Sequence, residues 1–419
     1  MQDKGCAPSP GRVIAAGFIG NVMEWYDFAV YGYFASYIGH LFFPAADPSV
    51  SLIAAFGAFA VGFLVRPLGA LVFGHIGDVF GRKHALTLSI AAMAVPTVMI
   101  GLLPTYEVIG VAAPIALVAL RIVQGLSIGG EYTCSLVFLA EHAPKGRRAI
   151  YASTGMIGGT CGILLGSAIG AVLSTVIDGE QMIEWGWRVP FLLGAFVAVS
   201  GYLVRRALAG EQPVRETNKP VFDVFGKHLR PVLVVCALNV GGAIGFYTAF
   251  VYALTYIKVL DHLPAHIAFN LNTASVALLV VLVPIAGWMA DYFGRQPVRI
   301  ASSVMLLVGA VPFFRLMHTP DPATIFIGQL GFVIALALGA GALIGGLEII
   351  PKPVRCTGFS LGYNSAMAYC GGTTPLIAAW LVASTGDPIA PAYWVCFGAA
   401  ISLVATLFFV RETKDDPLD

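Results

Sequence analysis

Four polar side chains recur at three- and four-residue spacing in the first long apolar stretch: Asn21, Glu24, Asp27 and Tyr31. That spacing places them on one face of a helix. A later stretch carries Arg121 and Gln124, followed toward its end by Glu131, and another carries Arg66. An ionisable group in hydrocarbon costs about 2.5–3.5 kcal/mol even on lenient scales, so each needs a partner or a task. A carboxylate there can take up a proton, and a guanidinium can grip the carboxylate of a ligand. Burial favours the protonated acid and a nearby guanidinium the ionised one. A ligand arriving at Arg121 would therefore shift a proton held by Asp27 or Glu24, which is a physical route to coupling. The competing reading is structural ion pairing. It is the expected role of Arg66 and Glu131, which lie at comparable depth.

A second group of charges lies between the apolar stretches, and it repeats. Glu141-His-Ala-Pro144-Lys145-Gly-Arg147-Arg148 returns as Glu348-Ile-Ile-Pro351-Lys352-Pro-Val-Arg355. Gly74-His-Ile-Gly77-Asp78-Val-Phe80-Gly81-Arg82-Lys83 returns as Gly287-Trp-Met-Ala-Asp291-Tyr-Phe293-Gly294-Arg295-Gln296. Both offsets are about half the chain, so the protein reads as two copies of one unit. Arg82–Glu141 and Arg295–Glu348 are expected as one ion pair per copy. With Asp78, Asp291, Arg148 and Arg355 they form a candidate gate.

The elements that position these groups must be membrane helices. The chain is 58% hydrophobic and 11% charged, with a net charge of +1, against about one quarter charged in soluble domains. That balance excludes nucleic acid as a partner and makes the bilayer one. Twelve spans fit near 13–43, 51–75, 85–104, 108–141, 149–177, 188–208, 230–258, 266–290, 297–316, 322–349, 356–385 and 390–410, each near the twenty residues a bilayer requires. The runs are too long and lack the alternation of barrel strands. The fold class is thus all-α, twelve helices in two pseudo-symmetric bundles: residues 1–208, a linker at 209–229, and residues 230–419. Long apolar helices in two similar halves suit a transporter that rocks around a central site. Span five carries Gly158, Gly162, Gly166 and Gly170, small residues four apart that permit close packing.

Lys and Arg fall on alternate connections. They occur at 82–83, 145–148, 205–230, 295–299 and 352–355, whereas 44–49, 104–107, 178–184, 261–266, 319–322 and 386–391 hold none. Every basic loop shares a side with both termini, which are therefore expected in the cytoplasm. No cleavable leader is evident, since Glu24 and Asp27 interrupt the first apolar stretch. The seven cysteines show no metal-type spacing. Gly125-Leu-Ser127-Ile-Gly129 matches a serine-hydrolase elbow but lies inside an apolar helix without the strand–turn–helix setting. No phosphate-binding loop or zinc-type His-Glu-x-x-His occurs, so neither an ATP-driven pump nor an enzyme is expected. No cofactor or metal is called for beyond a coupling proton, and a monomer is expected to suffice.

The paired Gly-x-x-x-Asp-x-x-Gly-Arg loops resemble the signature of the major facilitator superfamily. Gly20-Asn-Val-Met-Glu24-Trp-Tyr-Asp27-Phe, Arg66-Pro-Leu-Gly69, Gln124-Gly-Leu-Ser-Ile-Gly-Gly-Glu131-Tyr and Trp185-Gly-Trp-Arg188-Val-Pro-Phe191 narrow the resemblance to the metabolite:proton symporter family. That family includes proline/betaine, citrate, 2-oxoglutarate and shikimate permeases. The resemblance implies an inner-membrane symporter driven by the proton gradient, its cavity lined by spans one, four, seven and ten. It adds Asn239, Tyr247 and Tyr252 of span seven and Gln329 of span ten to the candidate substrate contacts.

Residues 42–49 and 391–393 resemble proline/betaine carriers, which bear a long coiled-coil tail that this sequence lacks. Arg121 resembles the organic-acid branch, since a planar fork suits a carboxylate. A di- or tricarboxylate such as 2-oxoglutarate or citrate is therefore the expected substrate, with a proline/betaine-type solute as the alternative. A ligand sensor would need an output domain, and a channel would not need paired acid and base in a two-fold repeat. The charge asymmetry is directly testable: a cysteine placed in the 209–229 linker should label only from the cytoplasm. Labelling from the periplasm of intact cells would invert the topology.

Overall fold

Hydrocarbon offers the backbone no hydrogen bonds, so a chain this apolar must satisfy them internally as helix. The computed structural model describes residues 10–69, 82–127, 131–141, 143–206, 224, 226–259 and 263–418, and within them no strand occurs. Twelve rods follow one another. They are α1 (Pro10–Tyr33, continued by Ala35–Phe42), α2 (Pro48–Gly69), α3 (Arg82–Leu102), α4 (Ala112–Ser127 and Glu131–Glu141), α5 (Arg148–Val176) and α6 (Arg188–Arg206). Then come α7 (Leu229–Val259), α8 (Ala265–Phe293), α9 (Arg295–Met317), α10 (Pro322–Glu348), α11 (Lys352–Thr385) and α12 (Ala390–Phe409). Eight of these are long and apolar enough to cross a membrane by length and composition. Asp78 and most of the 209–229 linker lie outside the described residues, as do the side chains of Arg82 and Glu131.

The repeat in the sequence reappears in the packing. In the first half α1 packs on α5, α2 on α4, and α3 on both α4 and α6. In the second, α7 packs on α11, α8 on α10, and α9 on both α10 and α12. Every pairing is displaced by six helices. The two halves meet through α5 against α8 and α2 against α11, which the same displacement exchanges.

Small residues set the closest approaches. A Cβ on Gly125 of α4 would stand 2.0 Å from the Gly62 carbonyl oxygen of α2. One on Gly162 of α5 would stand 2.3 Å from the Val22 carbonyl oxygen of α1, whereas at Gly166 the nearest atom is the Val30 side chain at 3.4 Å. The ladder in span five is therefore uneven. Gly162→Ala should destabilise the fold by about 1–3 kcal/mol, read as a lowered melting temperature in detergent, and Gly166→Ala should be nearly neutral. Equal effects of the two would refute backbone contact as the reason for Gly162.

Candidate functional site

Asp27 is buried in the middle of α1 and turned toward α3 and α4. It accepts a hydrogen bond from the Thr97 hydroxyl of α3. Gln124 Nε2 of α4 donates to both carboxylate oxygens at 2.9 Å, and to Thr97 Oγ1 at 2.9 Å. Arg121, one turn earlier on α4, donates through Nη1 to Gln124 Oε1 at 2.8 Å and stands 3.7 Å from Asp27 Oδ2. Its guanidinium is packed against the rings of Tyr31 (4.4 Å) and Phe28 (4.8 Å). Arg121 Nε and Nη2 have no hydrogen-bond partner among the described residues. The sequence reading left Arg121 without a permanent partner, and the structure corrects this. The i, i+3 spacing of Arg121 and Gln124 lets both reach the one carboxylate.

Glu24 and Asp27 were expected to act from one face, yet they serve different surroundings. Glu24 lies within electrostatic reach of Arg66, Tyr132, Tyr247 and Tyr363, toward the boundary between the halves. Arg66 sits over Phe63 at 3.9 Å and Phe28 at 4.1 Å. Its expected partner Glu131 has its side chain outside the described residues.

The other candidate contacts disperse. Asn21 donates to Ser135 Oγ and the Gly155 carbonyl, tying α1 to α4 and α5. The Tyr31 hydroxyl donates to the Ala55 carbonyl of α2. Gln329 accepts from Ser275 of α8 at 2.8 Å. Tyr247 is buried among Phe59, Phe63 and Phe246. Tyr252 lines a vestibule of about 440 Å³ at the end away from the basic loops. Asn239 alone of the eight lines the central cavity, about 120 Å³ between the halves. Its walls include Trp25, Tyr132, Phe246, Tyr363 and Arg299, none of which the sequence reading singled out as a candidate. Trp25 and Tyr132 sit inside the strings that carried the family resemblance, which was the signal available. Thr97 was also missed. It follows Pro96 in α3, and no spacing marks it.

At the basic end the repeated strings exchange partners. Glu141 accepts from Arg355 Nη1 at 2.8 Å, and Glu348 accepts from Arg148 Nη1 at 3.3 Å. Each glutamate thus meets the arginine of the other copy. Arg295–Glu348 forms within its own half, at 3.3 Å, as expected. The Arg82–Glu141 pair falls on a side chain outside the described residues. Asp291 accepts from the backbone N–H groups of Ala149 and Ile150 at 3.0 and 2.9 Å, so it caps the first turn of α5 across the boundary. Glu141 is partly open to solvent, which screens its pair with the buried Arg355. Glu348 is the stronger hub because it is buried and also accepts from Thr413 at 2.5 Å.

The tail after α12 closes over this hub. Glu412 accepts from the backbone N–H groups of Arg295 and Gln296, which open α9. Partial burial pushes its carboxyl up, but these bonds and those from Lys414 and Thr413 outweigh it and hold it below the usual carboxylate range. A lowered carboxylate value contributes stability above the unfolded value, lost as pH falls through the folded one. The tail is therefore held at neutral pH.

A twelve-helix bundle with an internal six-helix repeat, a largely apolar cavity at the repeat boundary and ion pairs bridging the halves at one end has the build of a membrane transporter. Known sequences agree. The pattern of the sugar (and other) transporter family matches residues 13–209 and 205–419. The chain is 34% identical to a proline/betaine transporter of Salmonella typhimurium, over 97% of this chain and 84% of that one. It is 34% identical, with the same coverage, to a glycine betaine/proline/ectoine/pipecolic acid transporter of Dickeya dadantii. The fold matches a D-xylose-proton symporter with a TM-score of 0.77 at 18% identity, covering 97% and 99% of the two chains. It also matches the inward-open xylose transporter of E. coli with a TM-score of 0.75 at 17% identity, covering 97% of each. The chain belongs to the sugar (and other) transporter family.

The exchanged pairs make a sharp prediction. Ser360 of α11 is buried against Thr133 of α4 across this boundary. In a Ser360→Cys background, Glu141→Arg should raise maleimide reactivity at residue 360, because two guanidinium groups then face each other at the boundary. Adding Arg355→Glu should restore protection. Unchanged reactivity in the single variant would show that the pair does not hold this end shut.

Proposed function

We propose that this protein is a proton-driven importer of a small zwitterionic solute of the proline/betaine class, working by alternating access across the inner membrane with both termini cytoplasmic. The single observation that carries the substrate class is the engagement of Arg121. An organic acid was expected because that guanidinium looked free to grip it. Asp27 and Gln124 already engage it and aromatic rings pack around it, so its charge is answered without a di- or tricarboxylate. The names of relatives matched over 97% of the chain support the zwitterion instead.

The geometry around Asp27 supports proton coupling. The Thr97 hydroxyl has one hydrogen and two acceptors in reach, Asp27 Oδ1 and the Met93 carbonyl at 2.7 Å. A proton on Asp27 satisfies both, for Asp27 then donates to Thr97 and Thr97 to Met93. Without it, Thr97 must choose, and Gln124 and Arg121 hold the bare carboxylate. The site thus has two hydrogen-bond arrangements that differ by one proton. Since α1, α3 and α4 all contribute, the change reaches three helices.

The exchanged pairs serve as the gate at the cytoplasmic end, closed in this state, and Asp78 is assigned the same duty as Asp291 by the sequence repeat. A ligand shifts such a gate only by binding one state better than the other. One chain contains the whole route. Asp27→Asn should abolish gradient-driven accumulation of glycine betaine in proteoliposomes while exchange of internal for external solute persists. Normal accumulation would move the proton site to Glu24 or elsewhere. In the wild type, proline and glycine betaine should compete for uptake and citrate and 2-oxoglutarate should not; the reverse order would reinstate the organic acid.

A further inference from the structure

Four rings gather on one wall of the central cavity. Trp25 meets Tyr132 edge-on at 5.6 Å and Phe246 at 5.9 Å, and Tyr132 lies 5.6 Å from Tyr363. Two come from α1 and α4 of the first half and two from α7 and α11 of the second. All four line the cavity of about 120 Å³, room for on the order of ten water-sized groups. That suits a small amino acid or a methylated amine.

Packing alone would explain aromatic residues at a helix boundary, but three observations point to a ligand. The rings border open space instead of filling it. Trp25 Nε1 is buried without a hydrogen-bond partner among the described residues, although a buried indole N–H normally finds one. The surrounding charge is also polarised. Glu24 precedes Trp25 and lies within electrostatic reach of Tyr132 and Tyr363. Arg299, lining the same cavity, donates to the Leu238 and Ala342 carbonyls at 3.1 and 2.6 Å and has no carboxylate partner among the described residues. An acid beside the rings and an uncompensated cation further along match the two ends of a zwitterion.

We propose that Trp25, Tyr132, Phe246 and Tyr363 form a cage for the substituted ammonium group of the solute, with the carboxylate directed toward the Asn239 and Arg299 end. The inference rests on the zwitterion reading above. A cation over desolvated aromatic faces gains about 2 kcal/mol, some thirtyfold in affinity. Because each half supplies two rings, the cage is complete only while the halves are closed on each other, so the solute stabilises that state.

The test compares glycine betaine with 3,3-dimethylbutanoate, the isosteric carboxylate in which a neutral tert-butyl group replaces the trimethylammonium group, by calorimetry on the purified protein. Glycine betaine should bind at least about tenfold more tightly than the isostere. Trp25→Leu and Tyr363→Leu should each weaken glycine betaine by about tenfold or more while changing isostere binding little, and Trp25→Phe should retain part of the affinity. If the leucine variants fail to fold, the wild-type comparison still decides. Equal binding of the two ligands by wild type, or an unchanged affinity in Trp25→Leu, overturns the cage and leaves the zwitterion reading standing. Wild type that binds neither glycine betaine nor proline overturns that reading, and the cage with it.

Discussion

A charge inside a bilayer has no water to answer it, and this protein is arranged around how its buried charges are answered. Asp27 and Arg121 are one such buried pair. They stand 3.7 Å apart with Gln124 bridging them and Thr97 closing the carboxylate. Removing one partner of such a pair strands the other, which typically costs about 3–5 kcal/mol. The contact therefore fixes α1 against α3 and α4. Gln124 is brought within reach because α4 approaches α2 so closely that Gly125 and Gly62 nearly touch. Chemistry and packing are here the same constraint.

The second organising feature is exchange. Two copies of one sequence unit could have kept their charges to themselves. Instead Glu141 takes the arginine of the second string and Glu348 takes that of the first. Contacts across the boundary can be made and broken by rigid motion of the halves, which pairs within one half cannot. The strong hub is the buried one at Glu348, braced by Thr413 and by Arg295 from its own half. The short tail contributes again through Arg148, which donates to the Asp416 carbonyl at 2.8 Å. The basic end is thus tied from three directions.

The fold was legible in the sequence because its signals are long-range and redundant. Twelve apolar runs, alternating basic loops and two repeated strings all state the same architecture. Charged residues with a physical need for partners were legible too, and Asp27, Arg121 and Gln124 do come together. What spacing could not supply was the partner's identity. Asn21, Tyr31 and Gln329 are polar residues in apolar helices, like Gln124, but they bond Gly155, Ala55 and Ser275 in neighbouring helices instead of the buried carboxylate. Nor could it show that Glu141 reaches across the boundary, since a repeat permits pairing within or between copies. The cavity's aromatic wall was hidden for the opposite reason: Trp25, Tyr132 and Phe246 look like ordinary apolar residues, and only the empty space beside them distinguishes them.

The central claim is that movement of a zwitterion and movement of a proton are one event. It is tested most directly with purified protein in proteoliposomes that enclose a pH-sensitive dye, with no gradient imposed at the start. Adding unlabelled glycine betaine outside should acidify the interior, and the acidification should saturate with the solute and be absent from protein-free vesicles. Uptake of labelled glycine betaine without internal acidification would contradict the coupling, and acidification driven by citrate or 2-oxoglutarate but not by glycine betaine would contradict the substrate.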